Sequence, residues 1–173
     1  MNRDFLLVDG YNIIHAWDDL SELCEVSLES ARQKLMDIMS NFQGYKSHIT
    51  VIVVFDGYLV KGNIGTAFEY NNIFVVYTKE VETADHYIEK TVHALPRECR
   101  VRVATSDGLE QLIILGNGAS RMSARELKNE INSVNADMRE SFIEVKPPKN
   151  NLLMDNLDEK TRNMLEQMRR MKK

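Results

Sequence analysis

Residues 49–56 read ITVIVVFD, an unbroken apolar run rich in β-branched side chains that ends at an aspartate. β-branched residues favour strands, and a strand that is apolar on both faces is typical of the centre of a parallel sheet. Parallel strands need crossover connections, which are usually helices that cover the faces of the sheet. This run therefore constrains the chain to an α/β fold.

Other short apolar runs predict further strands of the same sheet, and helix-like patterns separate them. Strands are predicted at residues 5–8, 73–78 and 101–107. Helices are predicted over residues 28–45, over 84–95, from strand four through Ile114, and over a long segment after Ser123. Three of the helix starts carry capping signals, namely Ser27, Thr83 and the Ser123–Glu126 pair. Strands alternating with helices indicate a three-layer α/β/α fold with a central, mainly parallel sheet.

Three segments have weaker patterns. Residues 58–72 contain two glycines and three asparagines and predict a loop. Residues 142–145, FIEV, predict a last short edge strand, because two prolines follow soon after. Residues 155–171 predict a final helix.

Composition and charge bound the class of protein. The 173 residues are 43% hydrophobic and 28% charged, and no apolar run approaches the ~20 residues that span a bilayer. We expect a cytoplasmic protein with no membrane partner, in which Cys24 and Cys99 are free thiols. Residues 1–146 are predicted to be one domain, followed by a basic linker and helix over 147–173.

Charge is distributed unevenly along the chain. Residues 146–173 hold eight basic and four acidic side chains, a net charge of +4, whereas the first 145 residues carry −8. A basic tail on an acidic body fits an anionic partner that the tail helps to hold. A solvated helix that carries charge without binding anything explains the same tail, and charge alone leaves the two interpretations open.

Four aspartates follow the ends of the four predicted strands: Asp9, Asp56, Asp85 and Asp107. In a parallel α/β sheet, ligands bind beyond the carboxyl ends of the strands, so these four side chains are expected at one edge. Clustered carboxylates repel one another and raise each other's pKa values unless a cation neutralises them. Oxygen ligands suit Mg²⁺ or Mn²⁺, which can activate a water for phosphodiester cleavage.

Each aspartate also has a purely structural explanation. Aspartate is common at strand ends and helix N-caps, where its carboxylate accepts backbone N–H groups. Asp85 is the weakest single candidate, because an acid in the first turn of a helix is stabilised by the helix dipole. It is the occurrence of four aspartates at equivalent strand ends that favours a metal site.

Several polar residues near the same edge are candidates for holding phosphates. Asn12 could bind a phosphate or orient a metal-bound water, although a turn amide explains it equally well. The Ser106 hydroxyl lies beside Asp107, where it could meet a ligand or cap a helix. Three basic residues are expected to flank the edge, and each is also explained as a solvated charge: Lys61, Arg121 and Arg125.

Five stretches together resemble the YacP-like branch of the NYN-domain ribonucleases, which have a PIN-like fold. They are LLVDGYNII at 6–14, VIVVFDGYLVKG at 51–62, YTKEVETADHYIEK at 77–90, VATSDGLEQ at 103–111 and GASRMSARELKNEI at 118–131. The stretches follow the family order over residues 4–145. One departure is the glycine after Asp56, where a small or polar residue is more usual.

The resemblance implies a chemistry and a setting for it. It implies an endoribonuclease that uses Mg²⁺ or Mn²⁺ at the four aspartates, with Asn12 assisting and no organic cofactor. In this branch it also implies a nuclease that cuts mRNA on the ribosome. The acidic body suggests weak affinity for naked RNA, so a large partner could deliver the substrate.

Two other functions compete with the nuclease. A non-catalytic RNA- or ribosome-binding module could use the same fold, but a binder has no use for four carboxylates near phosphates. A small-molecule phosphatase or phosphotransferase usually needs a nucleophilic aspartate in a D-x-D pattern, and this chain has D-G-Y at 9–11.

Overall fold

The computed structural model describes residues 4–59, 65–107 and 119–144, and its architecture is a sheet with helices on both faces. The strands are β1 (Asp4–Asp9), β2 (Ile49–Phe55), β3 (Thr66–Tyr70), β4 (Ile73–Tyr77), β5 (Arg100–Ala104) and β6 (Ser120–Met122). The helices are α1 (Gly10–Ala16), α2 (Asp18–Val26), α3 (Leu28–Tyr45), α4 (Ala84–Ala94) and α5 (Ala124–Glu144), with a 3-10 turn at Gly57–Leu59. The predicted α/β/α class is confirmed.

The sheet order is β3-β4-β2-β1-β5-β6, and every neighbouring pair is parallel except β3 with β4. β1 lies between β2 and β5, with Val8 opposite both Val53 and Ala104. The carboxyl ends of the parallel strands therefore lie at one edge of the sheet.

Two apolar layers hold the sheet between the helices. On one face, α4 contributes Ile88 and Val92 to a cluster with strand residues such as Leu7 and Val54. The other face of the sheet carries Val53 and Phe55. The buried residues on that side include Leu35 and Met39 of α3 and Ile13 and Ile14 of α1. Burial of these side chains removes apolar surface from water, which is the main favourable term in folding.

The predicted helix starts are confirmed in atomic detail. Ser27 accepts a hydrogen bond from the backbone N–H of Ser30, and Thr83 accepts one from that of His86. Ser123 and Glu126 form the reciprocal capping box, because the Glu126 carboxylate accepts from the Ser123 N–H at 2.7 Å.

Two predictions about strands are wrong. The predicted loop over 58–72 contains β3, which pairs with β4 through a tight turn at Asn71, whose φ of 52° suits asparagine. The predicted edge strand over 142–145 is contradicted as far as Glu144, because α5 continues to that residue. No Gly or Pro interrupts residues 124–144, so helix propagation wins over the local β-propensity.

Besides β3, three elements were missed by the sequence analysis, namely α1, α2 and β6. α1 begins directly after β1, and the seven residues of α1 are too few for a clear helical period. β6, three residues long, gives no strand pattern of its own. The predicted helix through Ile114 and the predicted helix over 155–171 lie outside the described residues.

The chain divides into two units, Met1–Val134 and Asn135–Lys173. The site described below belongs to the first unit. Of the second unit, Asn135–Glu144 is helical as the end of α5. The predicted boundary between residues 146 and 147 lies outside the described part of the chain and stays a prediction.

Candidate active site

The parallel register brings three strand ends together at the carboxyl edge. Asp9 is the last residue of β1 and pairs with Val54 of β2, so that Asp56 follows just beyond. Asp107 comes three residues after the end of β5, which is shorter than the predicted strand over 101–107. Asp85 is the second residue of α4, which follows β4. The four aspartates thus come from four separate connections, as the sequence predicts.

Asp9 is the most buried of the four, with 5% of its surface exposed. Its carboxylate caps α1 by accepting the backbone N–H of Asn12 at 3.0 Å. Asp9 is therefore a helix cap, as the structural explanation of this aspartate predicts. A carboxylate has two oxygens, so capping and ligand binding are compatible.

Asp56 links the end of β2 to the start of α4. One of its carboxylate oxygens accepts the backbone N–H of Ala84 at 2.7 Å. The N-terminus of a helix stabilises an anion through its free N–H groups and its dipole. This bond places the next residue, Asp85, beside Asp56.

The carboxyl groups perturb one another electrostatically. Burial raises the pKa of Asp9 to about 7, the Asn12 N–H opposes this rise, and the charges of Asp85 and Asp56 add to it. Burial also raises the pKa of Asp85, helped by the charges of Asp107 and Asp56. Direct interaction between the Asp9 and Asp85 side chains adds to the rise in the pKa of Asp9 and opposes the rise in the pKa of Asp85. The four acids therefore form one electrostatic cluster.

The donor set matches a divalent cation in its chemistry. The four ligand candidates offer only carboxylate oxygens, the ligands that Mg²⁺ and Mn²⁺ prefer. The pKa values of Asp9 and Asp85 are raised by burial and then by neighbouring carboxylate charge, which a cation would neutralise. As placed, however, no three Asp, Glu, His or Cys side chains among the described residues are close enough to hold an ion. The residues fit a cation, and binding one through three carboxylates requires side-chain rotation.

Asn12 and Ser106 are brought together at this edge. The Asn12 side-chain oxygen accepts the Ser106 backbone N–H at 2.9 Å and also accepts the Ser106 hydroxyl. The buried Thr105 hydroxyl accepts the backbone N–H of Asp107 at 3.1 Å. The predicted Thr-Ser-Asp element is thus tied to the β1–α1 junction. The Asn12 amide nitrogen is a donor that could face a phosphate.

The three basic candidates have different outcomes. Arg121 is exposed on β6, and Arg125 is exposed in the first turn of α5, which follows β6. β6 is next to β5, so both arginines lie toward the side of the edge that carries Asp107. Lys61 lies outside the described residues.

Thr78 is a site residue that the sequence analysis missed. It follows β4, is 1% exposed, and its hydroxyl accepts the backbone N–H of Gly57 at 3.0 Å. The same hydroxyl donates to the Glu82 carbonyl, three residues before Asp85. Thr78 therefore connects the segments that carry two of the aspartates. A threonine just after an apolar strand was the available signal, but its partners are distant in sequence.

Comparisons with known proteins agree with this geometry. The model of the YacP-like NYN domain matches residues 6–170. This chain belongs to the YacP-like NYN-domain family. The "uncharacterized protein YacP" of Bacillus subtilis (strain 168) is 47% identical over 132 residues, which are 76% of each chain.

Solved structures extend the similarity to the fold. The crystal structure of Rae1 (YacP) from Bacillus subtilis has a TM-score of 0.72 and 39% identity, over 96% of this chain and 95% of that one. The crystal structure of a mutant form of the same Bacillus subtilis protein has a TM-score of 0.70 and 37% identity, over 95% of this chain and 99% of that one. The PIN-like fold is thereby confirmed, and the family implies a nuclease-type function related to RNA. Among the described residues, no helix has the length and apolarity to cross a bilayer.

Proposed function

We propose that the protein is a Mg²⁺- or Mn²⁺-dependent endoribonuclease that hydrolyses phosphodiester bonds of mRNA on the ribosome, in the cytoplasm. The observation that carries the proposal is the cluster of four aspartates at the carboxyl edge, in which the pKa of Asp9 is raised to about 7. Such perturbed carboxyl groups in one place are typical of functional sites. Family membership supports the choice of RNA as substrate.

The four carboxylates have different places in the proposed site. Asp9 is buried and fixed by the Asn12 N–H, and Asp56 is half-buried and fixed by the Ala84 N–H. Asp85 and Asp107 are exposed and would face the substrate. Together they would hold the cation, which when bound would neutralise the cluster and activate water for attack on phosphorus.

The remaining residues would bind and orient the RNA. The Asn12 amide and the Ser106 hydroxyl, which contact each other, would position the scissile phosphate. Arg121 and Arg125, and Lys61 by the sequence pattern, would bind flanking phosphates. Hydrolysis adds water across one P–O bond and leaves a phosphate on one product end and a hydroxyl on the other.

Ribosome dependence is proposed from charge as well as from the family resemblance. The first 145 residues carry −8, which disfavours free RNA, whereas residues 146–173 carry +4. A ribosome would present the mRNA at high local concentration, and the basic tail would add electrostatic attraction to an RNA-rich particle.

The test is cleavage of one mRNA with Mn²⁺ or Mg²⁺, once naked and once during translation. We compare wild type with Asp9→Asn and Asp85→Asn, and we use Asp19→Asn as the matched control because the Asp19 carboxylate pairs with Lys128 and Lys34 rather than with the four aspartates. We expect wild type and the control to cut only the translated mRNA. Cutting of naked RNA would remove the ribosome from the proposal. Full activity of both site variants would refute the site, and no cutting by wild type would favour the binding module.

A further inference from the structure

Arg32, in the second turn of α3, is a buried charge next to the candidate site. It is 6% exposed, and its Nη1 donates to the Tyr11 hydroxyl at 2.8 Å. Its Nη2 pairs with the Glu29 carboxylate. Within the described residues, its Nε is buried without a hydrogen-bond partner. Burying a charge with an unpaired donor is unfavourable, so stability alone is a weak explanation for an arginine here.

The guanidinium of Arg32 contacts two aromatic rings that flank a third. It lies 5.8 Å from the centroid of Tyr77 and donates to Tyr11. Tyr77 stacks on Phe55 with centroids 5.5 Å apart, and Tyr11 meets Phe55 edge-on at 5.2 Å. Arg32 therefore contacts both tyrosines that pack against Phe55.

The enclosed ring is attached directly to the candidate site. Asp56 follows Phe55 in the chain, and Gly10 and Tyr11 follow Asp9. The Phe55 ring packs on the backbone of residue 10 so closely that a Cβ there would lie 2.2 Å from it. Phe55 is on the strand that leads into Asp56, and its ring packs on Gly10, which follows Asp9, so the ring joins the two segments that carry these carboxylates.

We propose that Arg32 is a positioning residue, which holds Tyr11 and Tyr77 against Phe55 and thereby fixes the backbone positions of Asp9 and Asp56, from which their carboxylates would turn to bind the divalent cation. This inference rests on the proposed metal-dependent function and adds a residue to it. Arg32 itself is too buried to touch RNA. Residues that orient metal ligands from behind typically change metal affinity by about 10–100-fold when mutated.

The experiment measures Mn²⁺ binding to the full chain by calorimetric titration, together with the Mn²⁺ concentration that gives half-maximal cleavage of translated mRNA. We expect Arg32→Met to weaken Mn²⁺ binding about 10-fold or more. Tyr11→Phe, which keeps the ring on Phe55 and removes only the hydroxyl, is expected to weaken it in the same direction by less. Because the two residues act as a unit, the double variant is expected to bind no more weakly than Arg32→Met alone.

Arg102→Met is the matched control. Arg102 is half-buried and pairs with Glu130 of α5 at 2.8 Å, on the opposite side of β1 from Phe55. We expect it to lose stability without any change in Mn²⁺ affinity. Equal Mn²⁺ affinity in wild type, Arg32→Met and Tyr11→Phe would overturn the inference and leave the nuclease proposal intact. If Arg32→Met does not fold, Tyr11→Phe decides alone. A wild type that neither binds Mn²⁺ nor cuts RNA would overturn both proposals.

Discussion

Replacing Asp9 by asparagine should stabilise the cation-free protein at alkaline pH. Asp9 is buried beside Asp85 and Asp56, and its pKa is raised from an ordinary value of 3.8 to about 7. Asparagine caps helices as well as aspartate does, so its side-chain oxygen can still accept the Asn12 N–H. The substitution therefore removes the ionisation and keeps the cap.

The direction of the pH dependence of stability follows from which state, native or unfolded, holds the Asp9 proton. Between pH 3.8 and about 7 the native state keeps a proton on Asp9 that the unfolded chain releases, so wild-type stability falls as pH rises through this window. A tenfold change in proton affinity corresponds to ~1.4 kcal/mol, so the full loss above pH 7 is about 4 kcal/mol. The Asp9→Asn variant does not lose this stability, because asparagine does not ionise. Its stability relative to wild type should therefore rise by that order of magnitude from pH 4 to pH 8.

The assay is urea unfolding in EDTA from pH 4 to pH 8, followed by fluorescence of Trp17, the single tryptophan, which is 4% exposed. Asp19→Asn serves as the control, because the Lys128 hydrogen bond lowers the pKa of Asp19. The stability that this lowered pKa supplies is lost only as the pH falls below about 4, so the difference between the control and wild type should stay nearly constant from pH 5 to pH 8. If the stability difference between Asp9→Asn and wild type does not change with pH, the inference that Asp9 is protonated in the native cluster is wrong.

Two further substitutions, at Gly10 and Thr78, test by urea unfolding the contacts that hold the site in place. Gly10→Ala should destabilise the fold by about 1–3 kcal/mol, because its Cβ would overlap the buried Phe55 ring, whereas Gly44→Ala, with its nearest neighbour at 3.6 Å, should be neutral or stabilising. A stable Gly10→Ala variant would show that the ring moves freely. Thr78→Val should cost about 1–3 kcal/mol by leaving the Gly57 N–H unpaired, while Thr91→Val, which loses only a bond to the Tyr87 carbonyl of its own helix, should change little. Equal losses in the two threonine variants would count against a special role for Thr78.

The positions of the aspartates could be predicted from the sequence because topology dictates them. β1, β2, β4 and β5 are short apolar runs, and parallel pairing brings their carboxyl ends to one edge wherever the helices lie. The caps at Ser27 and Thr83 were equally predictable, since each bond spans only three residues. Local signals thus determine which residues reach the site.

The supports of the site could not be predicted, since their partners are distant in the chain. Arg32 meets Tyr11 across 21 residues, and Thr78 meets Gly57 across 21 residues. In sequence, Arg32 is an ordinary polar residue of an amphipathic helix, and nothing local marks it as buried. β3 was missed for a related reason. Its own strand pattern is weak, and its strand conformation depends on pairing with β4.

The capping explanation of the aspartates and the catalytic explanation are parts of one arrangement. Asp9 and Asp56 each accept a backbone N–H at a helix start, and those bonds hold anionic side chains in a place where burial and repulsion oppose them. A cap alone would be served as well by asparagine, which does not ionise and meets no repulsion there. Four carboxylates at this edge are favoured over amides only if negative charge is useful to the protein. The charge that destabilises the cation-free protein at neutral pH is the same charge that would bind the cation.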